Sequence, residues 1–83
     1  MQSNGATQQF TIGGKRVSLN RKLVENALRN VRPDPIKKYK VRIANTEYPI
    51  KQVISVAAGV PLPAFITTDA YRILTHLGFE VEQ

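Results

Sequence analysis

The chain has 83 residues, 12 basic and 6 acidic, giving a net charge of +6 and a pI near 10.1, and it has no cysteine and one histidine. That length suits one domain, and the cysteine and histidine counts exclude disulfides, thiolate metal sites and an imidazole-rich metal centre. No apolar run approaches the roughly 18 residues of a spanning helix, and the polar start MQSNGATQQ lacks the basic and apolar regions of a secretory signal, so a cytoplasmic protein is expected.

In chain order, residues 1–7 are small and polar and read as a disordered lead-in to a domain over 8–83. Gln8-Gln9-Phe10-Thr11-Ile12 and Lys15-Arg16-Val17 flank Gly13-Gly14, a tight hairpin signal because both turn positions accept positive φ. In that register Phe10 opposes Val17. Asn20 is a good N-cap, with Leu19 and Val24 suited to a hydrophobic staple around it. Helical spacing then places Leu23, Val24, Ala27, Leu28 and Val31 on one face, and Pro33 and Pro35 are expected to end the helix.

Residues 38–43 alternate, with Tyr39, Val41 and Ile43 on one side and Lys38, Lys40 and Arg42 on the other. That pattern predicts a half-buried strand with a wholly basic solvent face. Asn45-Thr46 is a turn candidate, and Glu47-Tyr48 is either a short return strand or loop. Pro49 suits the first position of a second helix with an Ile50, Val53, Ile54, Ala57 stripe and a stop at Gly59. A third helix starts after Thr67 or Thr68, with Ile66, Ala70, Ile73, Leu74 and Leu77 facing the core. Gly78 is its αL terminator, Phe79 the accompanying apolar contact, and 79–82 a last strand. The order ββαβ(β)ααβ predicts an α+β domain: a small three- or four-stranded sheet with three helices packed on one face.

The charge is unevenly spread. Residues 1–14 carry none, 15–51 hold eleven cations against three carboxylates, and 52–83 hold one against three. One half of the domain is therefore basic, as a face for an acidic partner requires. Catalysis finds no constellation. His76 and Asp69 share a helical bearing without a nucleophile, and Glu80 with Glu82 suits a solvated strand edge. Gly13-Gly14 lacks the following helix of a phosphate loop. Neither enzyme activity nor a cofactor is expected.

Three features suit an anion. Lys38, Lys40 and Arg42 on one strand face lie about 6.6–6.8 Å apart, close enough to track neighbouring phosphates. Arg21 and Lys22 in the first turn of the first helix, and Lys51 in that of the second, oppose the helix dipole, a placement that favours an anion at those ends. Thr68, Tyr71, Arg72 and Thr75 share an outer face of the third helix, where tyrosine and arginine could stack on or read bases. The second and third helices echo a helix-turn-helix, although the connection is long for one.

The strings Tyr39-Lys40-Val41-Arg42-Ile43, Glu47-Tyr48-Pro49-Ile50-Lys51-Gln52-Val53, Ala58-Gly59, Phe65 to Leu74 and Leu77-Gly78-Phe79-Glu80-Val81 carry a resemblance. Over about residues 20–82 the chain resembles the small N-terminal head module of McrA-like modification-dependent HNH restriction endonucleases. The resemblance implies an accessory domain in DNA-processing or defence systems, without nuclease residues, and it transfers Lys51. The expected function is binding of nucleic acid, DNA in preference to RNA, mainly through phosphates. Lys38, Lys40, Arg42 and Lys51 are the expected contacts, helped by Lys22 and Arg29, with Tyr71 and Arg72 as readers. The alternative is a protein-interaction module whose basic face docks on an acidic protein.

Overall fold

The computed structural model describes residues 7–83, so the expected lead-in over 1–7 lies outside the described residues except for Thr7. The Thr7 hydroxyl accepts from Asn20 Nδ2 at 3.1 Å. Strands β1 (Gln8–Ile12) and β2 (Lys15–Leu19) form the expected hairpin, with Phe10 opposite Val17. Gly13 and Gly14 both adopt positive φ, 58° and 79°. Gly13 is also required for space: a Cβ there would stand 2.8 Å from the Ala64 Cβ and carbonyl oxygen, so the hairpin tip packs directly on the connector.

Helix α1 (Arg21–Ala27) is capped as expected, the Asn20 side chain accepting from the Leu23 N–H at 2.7 Å. It stops well before Pro33, which corrects the longer helix expected from the apolar spacing. Asn30 turns left-handed at φ 63°, and Tyr48 Oη lies within donating distance of the Leu28 and Val31 carbonyls, at 3.2 and 3.1 Å. These carbonyls find a side-chain partner instead of another helical turn. Leu23, expected in the core, is 46% exposed, because the short helix buries Val24 and Leu28 instead.

β3 (Lys40–Ile43) and β4 (Thr46–Pro49) form a second hairpin. Its turn residues are Ala44 and Asn45, at φ 50° and 69°, one position earlier than expected from the sequence. Both angles are positive, as a two-residue type I′ turn demands. Pro49 ends β4 and caps α2 (Ile50–Ala58) instead of opening it, with ψ 140°. As β4 is an edge strand, the missing proline N–H leaves no ladder bond unmade. Gly59 ends α2 at φ 69°, as expected.

A 3-10 turn (Leu62–Ala64) leads to α3 (Thr67–His76). Ile66, expected in the core, is the extended N-cap residue and is 62% exposed. Its N–H donates to the Asp69 carboxylate at 3.3 Å. The C-terminus is the expected Schellman turn: the Phe79 N–H donates to the Leu74 carbonyl, that of Gly78 to Thr75, and Gly78 has φ 93°. Because the cap engages Phe79, β5 is only Val81–Glu82.

The α+β class and three helices stand, but the strands divide into two antiparallel sheets, β1-β2 and β4-β3-β5, rather than one. The first hairpin reaches the body through helix and connector contacts: α2 packs against α1, α3, β2, β4 and the 3-10 turn. One apolar core gathers Ile12, Leu19, Val24, Val41, Val53, Ile54, Ile73, Leu74 and their neighbours from both sheets and all helices. Full burial of a side chain such as Ile54 contributes about 1.5–3 kcal/mol.

Candidate nucleic-acid interface

The basic strand face forms, but the antiparallel ladder brings acids to it. Arg42 lies opposite Glu47, and Lys40 lies opposite Glu82. Glu47 Oε2 stands 3.3 Å from Arg42 Nη2 and 3.5 Å from Lys40 Nζ. The solvent face is therefore not wholly basic, because neighbouring strands supply the cross-strand partners that a single-strand reading leaves out. Such exposed pairs contribute only about 0–1 kcal/mol to stability, yet they offset the positive potential. A hollow of about 470 Å³ at this face is lined by Arg21, Lys40 and Arg42 together with Glu25, Glu47, Glu80 and Glu82.

Arg21 has structural partners. Its guanidinium donates to the Gly78 carbonyl at 2.7 Å, lies 4.4 Å over the Phe79 ring and approaches Glu25 at 3.9 Å. A cation that opposes the dipole of α1 thus meets a carbonyl at the end of α3, where positive charge is favourable.

Lys38 precedes β3 and takes another direction. With Lys37 and Lys51 it lines a hollow of about 210 Å³ completed by Pro35, Tyr39, Pro49, Ile50 and Thr67. The Lys38 ammonium sits 5.3 Å from the Tyr39 ring centroid, and that of Lys51 4.9 Å from Phe65. Cation–π contact of about 0.5–1 kcal/mol or more offsets the unfavourable dipole field at the start of α2. Among the described residues, no carboxylate pairs with Lys37, Lys38 or Lys51. Next to this hollow, Tyr39, Thr67, Thr68 and Tyr71 line another of about 240 Å³, where the two tyrosine rings meet edge to face at 5.5 Å and 76°.

Two side chains of the β4–α2 stretch hold this wall in place. Tyr48 clasps the chain after α1, and the Gln52 amide, only 8% exposed, accepts from the Asp34 N–H at 2.9 Å and donates to the Arg32 carbonyl at 3.0 Å. They pin the start of the irregular stretch that delivers Lys37, Lys38 and Tyr39.

Of the eight residues expected from sequence, Lys38, Lys51 and Tyr71 come together, while Lys40 and Arg42 share the mixed-charge face. Lys22 is exposed on α1 and lines neither hollow, and Arg29 borders a separate depression of about 180 Å³ beside Glu25. Arg72 pairs with Asp69 at 3.2 Å. His76, which shares a helical bearing with Asp69, meets the Phe10 ring at 6.2 Å. The connection between α2 and α3 contains the 3-10 turn and is not the roughly three- to four-residue turn of a helix-turn-helix. Three further residues, Lys37, Tyr39 and Gln52, belong to this site without a distinguishing signal in the sequence. Lys37 lies in a stretch without periodicity, Tyr39 shares the alternation of buried residues, and Gln52 sits next to the apolar stripe as an ordinary polar residue.

No helix among the described residues is long and apolar enough to cross a membrane. No curated protein and no solved structure matches the chain. A family model described as SCO5918-like matches residues 11–83, from within the first hairpin to the last residue, and the chain belongs to that family.

Proposed function

We propose that this domain binds nucleic acid, DNA in preference to RNA, through its phosphates, as an accessory module rather than an enzyme. The observation that carries the reading is the Lys37–Lys38–Lys51 hollow, which has three cations and no carboxylate in its lining. An acid-free cluster keeps its full attraction for a polyanion, whereas paired cations must first give up their partners. The preference for DNA and the accessory role rest on the resemblance carried by the Tyr48-Pro49-Ile50-Lys51 stretch.

The test is fluorescence anisotropy with a labelled oligonucleotide over a range of salt concentrations. Log affinity falls linearly with log salt in the wild type, and Lys37→Gln/Lys38→Gln/Lys51→Gln flattens the slope by about two to three units. An unchanged slope would take the site away from this hollow. Weak, salt-insensitive binding to every oligonucleotide would favour an acidic protein partner instead.

A further inference from the structure

Resting on that reading, we propose that the two adjoining hollows seat one nucleotide of an unpaired strand, its phosphate at Lys38 and Lys51 and its base against Tyr71. The hollows share Tyr39 and Thr67 in their linings and therefore lie side by side. Along them the lining changes from ammonium groups to two aromatic rings and two hydroxyls. That is the order of a nucleotide, charged at one end and flat, apolar-faced and polar-edged at the other.

Tyr71 is 43% exposed and meets Tyr39 edge to face, an arrangement in which the two rings do not stack on each other. The Lys38 ammonium already lies over the Tyr39 ring, which leaves Tyr71 as the stacking platform. Thr67 and Thr68 line the same hollow as Tyr71, and their hydroxyls are the side-chain groups there that could meet the edge of a base. At about 210 and 240 Å³, each hollow is smaller than the roughly 300–1,000 Å³ of a drug-sized pocket, which suits a single unit.

Geometry separates the single strand from the duplex. A duplex presents phosphates outward and keeps its bases paired and stacked, so it could reach the lysines but would leave the aromatic wall unused. An unpaired strand offers each base as a π-face that any exposed aromatic can accept, with little regard to sequence.

The experiment measures binding of the intact chain to a labelled oligonucleotide of about eight nucleotides. Its probes are a single strand, the corresponding duplex and an abasic strand of equal charge. The single strand should bind about ten-fold tighter than either of the others, and Tyr71→Ala should remove about that factor for the single strand alone. Tyr71→Phe, which keeps the ring, should retain it. Equal binding of all three probes, or a silent Tyr71→Ala, would overturn the proposal. If the triple lysine variant still loses affinity in that case, the phosphate reading stands and only the base contact falls; if it too is silent, both fall. Displacement of the strand by an oligoglutamate of equal charge as efficiently as by the strand itself would also overturn it, in favour of an acidic protein.

Discussion

The hollow around Lys40 and Arg42 and the hollow around Lys38 and Lys51 each contain three cations, but the first also contains four carboxylates and the second none. Lys38 and Lys40 are two residues apart, and the difference between their surroundings begins where the ladder does. From Lys40 onward each side chain has neighbours across the sheet, and here those neighbours include Glu47 and Glu82. Lys38 lies outside the ladder, and Lys51 lies on a helix, so neither has a cross-strand partner to neutralise it. A strand's charge pattern thus describes a surface only after the adjacent strands are added.

The strongest way to break this contrast is to reverse charge in the acid-free hollow. Lys38→Glu/Lys51→Glu should lower oligonucleotide affinity by on the order of a hundred-fold at moderate salt, about 2.8 kcal/mol, when followed by anisotropy. Thermal melting of Lys51→Glu alone should give unchanged or slightly higher stability. An acid in the first turn of α2 gains about 0.3–1 kcal/mol from the dipole, against the cation–π contact with Phe65 that is lost. A clear fall in melting temperature would make Lys51 chiefly structural.

Next in size is the support behind the hollow. Gln52→Ala removes the buried amide and leaves the Asp34 N–H and the Arg32 carbonyl without their partner, which should cost about 1–3 kcal/mol in urea unfolding. Oligonucleotide affinity should fall as well, because the stretch carrying Lys37 and Lys38 loses its anchor. Loss of stability with full retention of binding would show that the lysines need no such positioning.

The smallest effect sharpens the contrast from the other side. Glu47→Gln frees Lys40 and Arg42 from their shared carboxylate, so affinity should rise a few-fold while stability changes by less than about 1 kcal/mol. No gain would mean that the strand face lies away from the bound polyanion.

Local signals were legible where local chemistry decides the outcome. The Gly13-Gly14 hairpin with its register, the Asn20 cap, Gly59 and the Gly78-Phe79 terminator all follow from φ requirements or short-range hydrogen bonds. The length of α1 was not legible, because the hydroxyl at its carbonyl end comes from Tyr48, twenty residues beyond Leu28. For the same reason Lys51, Lys38 and Tyr71 could each be singled out, but not placed together: their adjacency is set by the packing of three elements. Separation of the hairpin into its own sheet is likewise a tertiary outcome, since its inner residues Ile12 and Leu19 would suit either arrangement.

The irregular stretch over 31–39 connects helix to sheet with no strand or helix of its own. Near its start, side chains of Tyr48 and Gln52 secure it, not a ladder. In hydrogen-exchange terms, such a segment belongs to the low end of the local-opening scale: its amides can open without unfolding of the core. A polyanion that bridges Lys38 on this stretch to Lys51 on α2 would cross-link the segment to the rigid body and raise the free energy of opening. Protection of amides over 36–39 would then report occupancy, and the latch that positions the lysines would also sense the ligand.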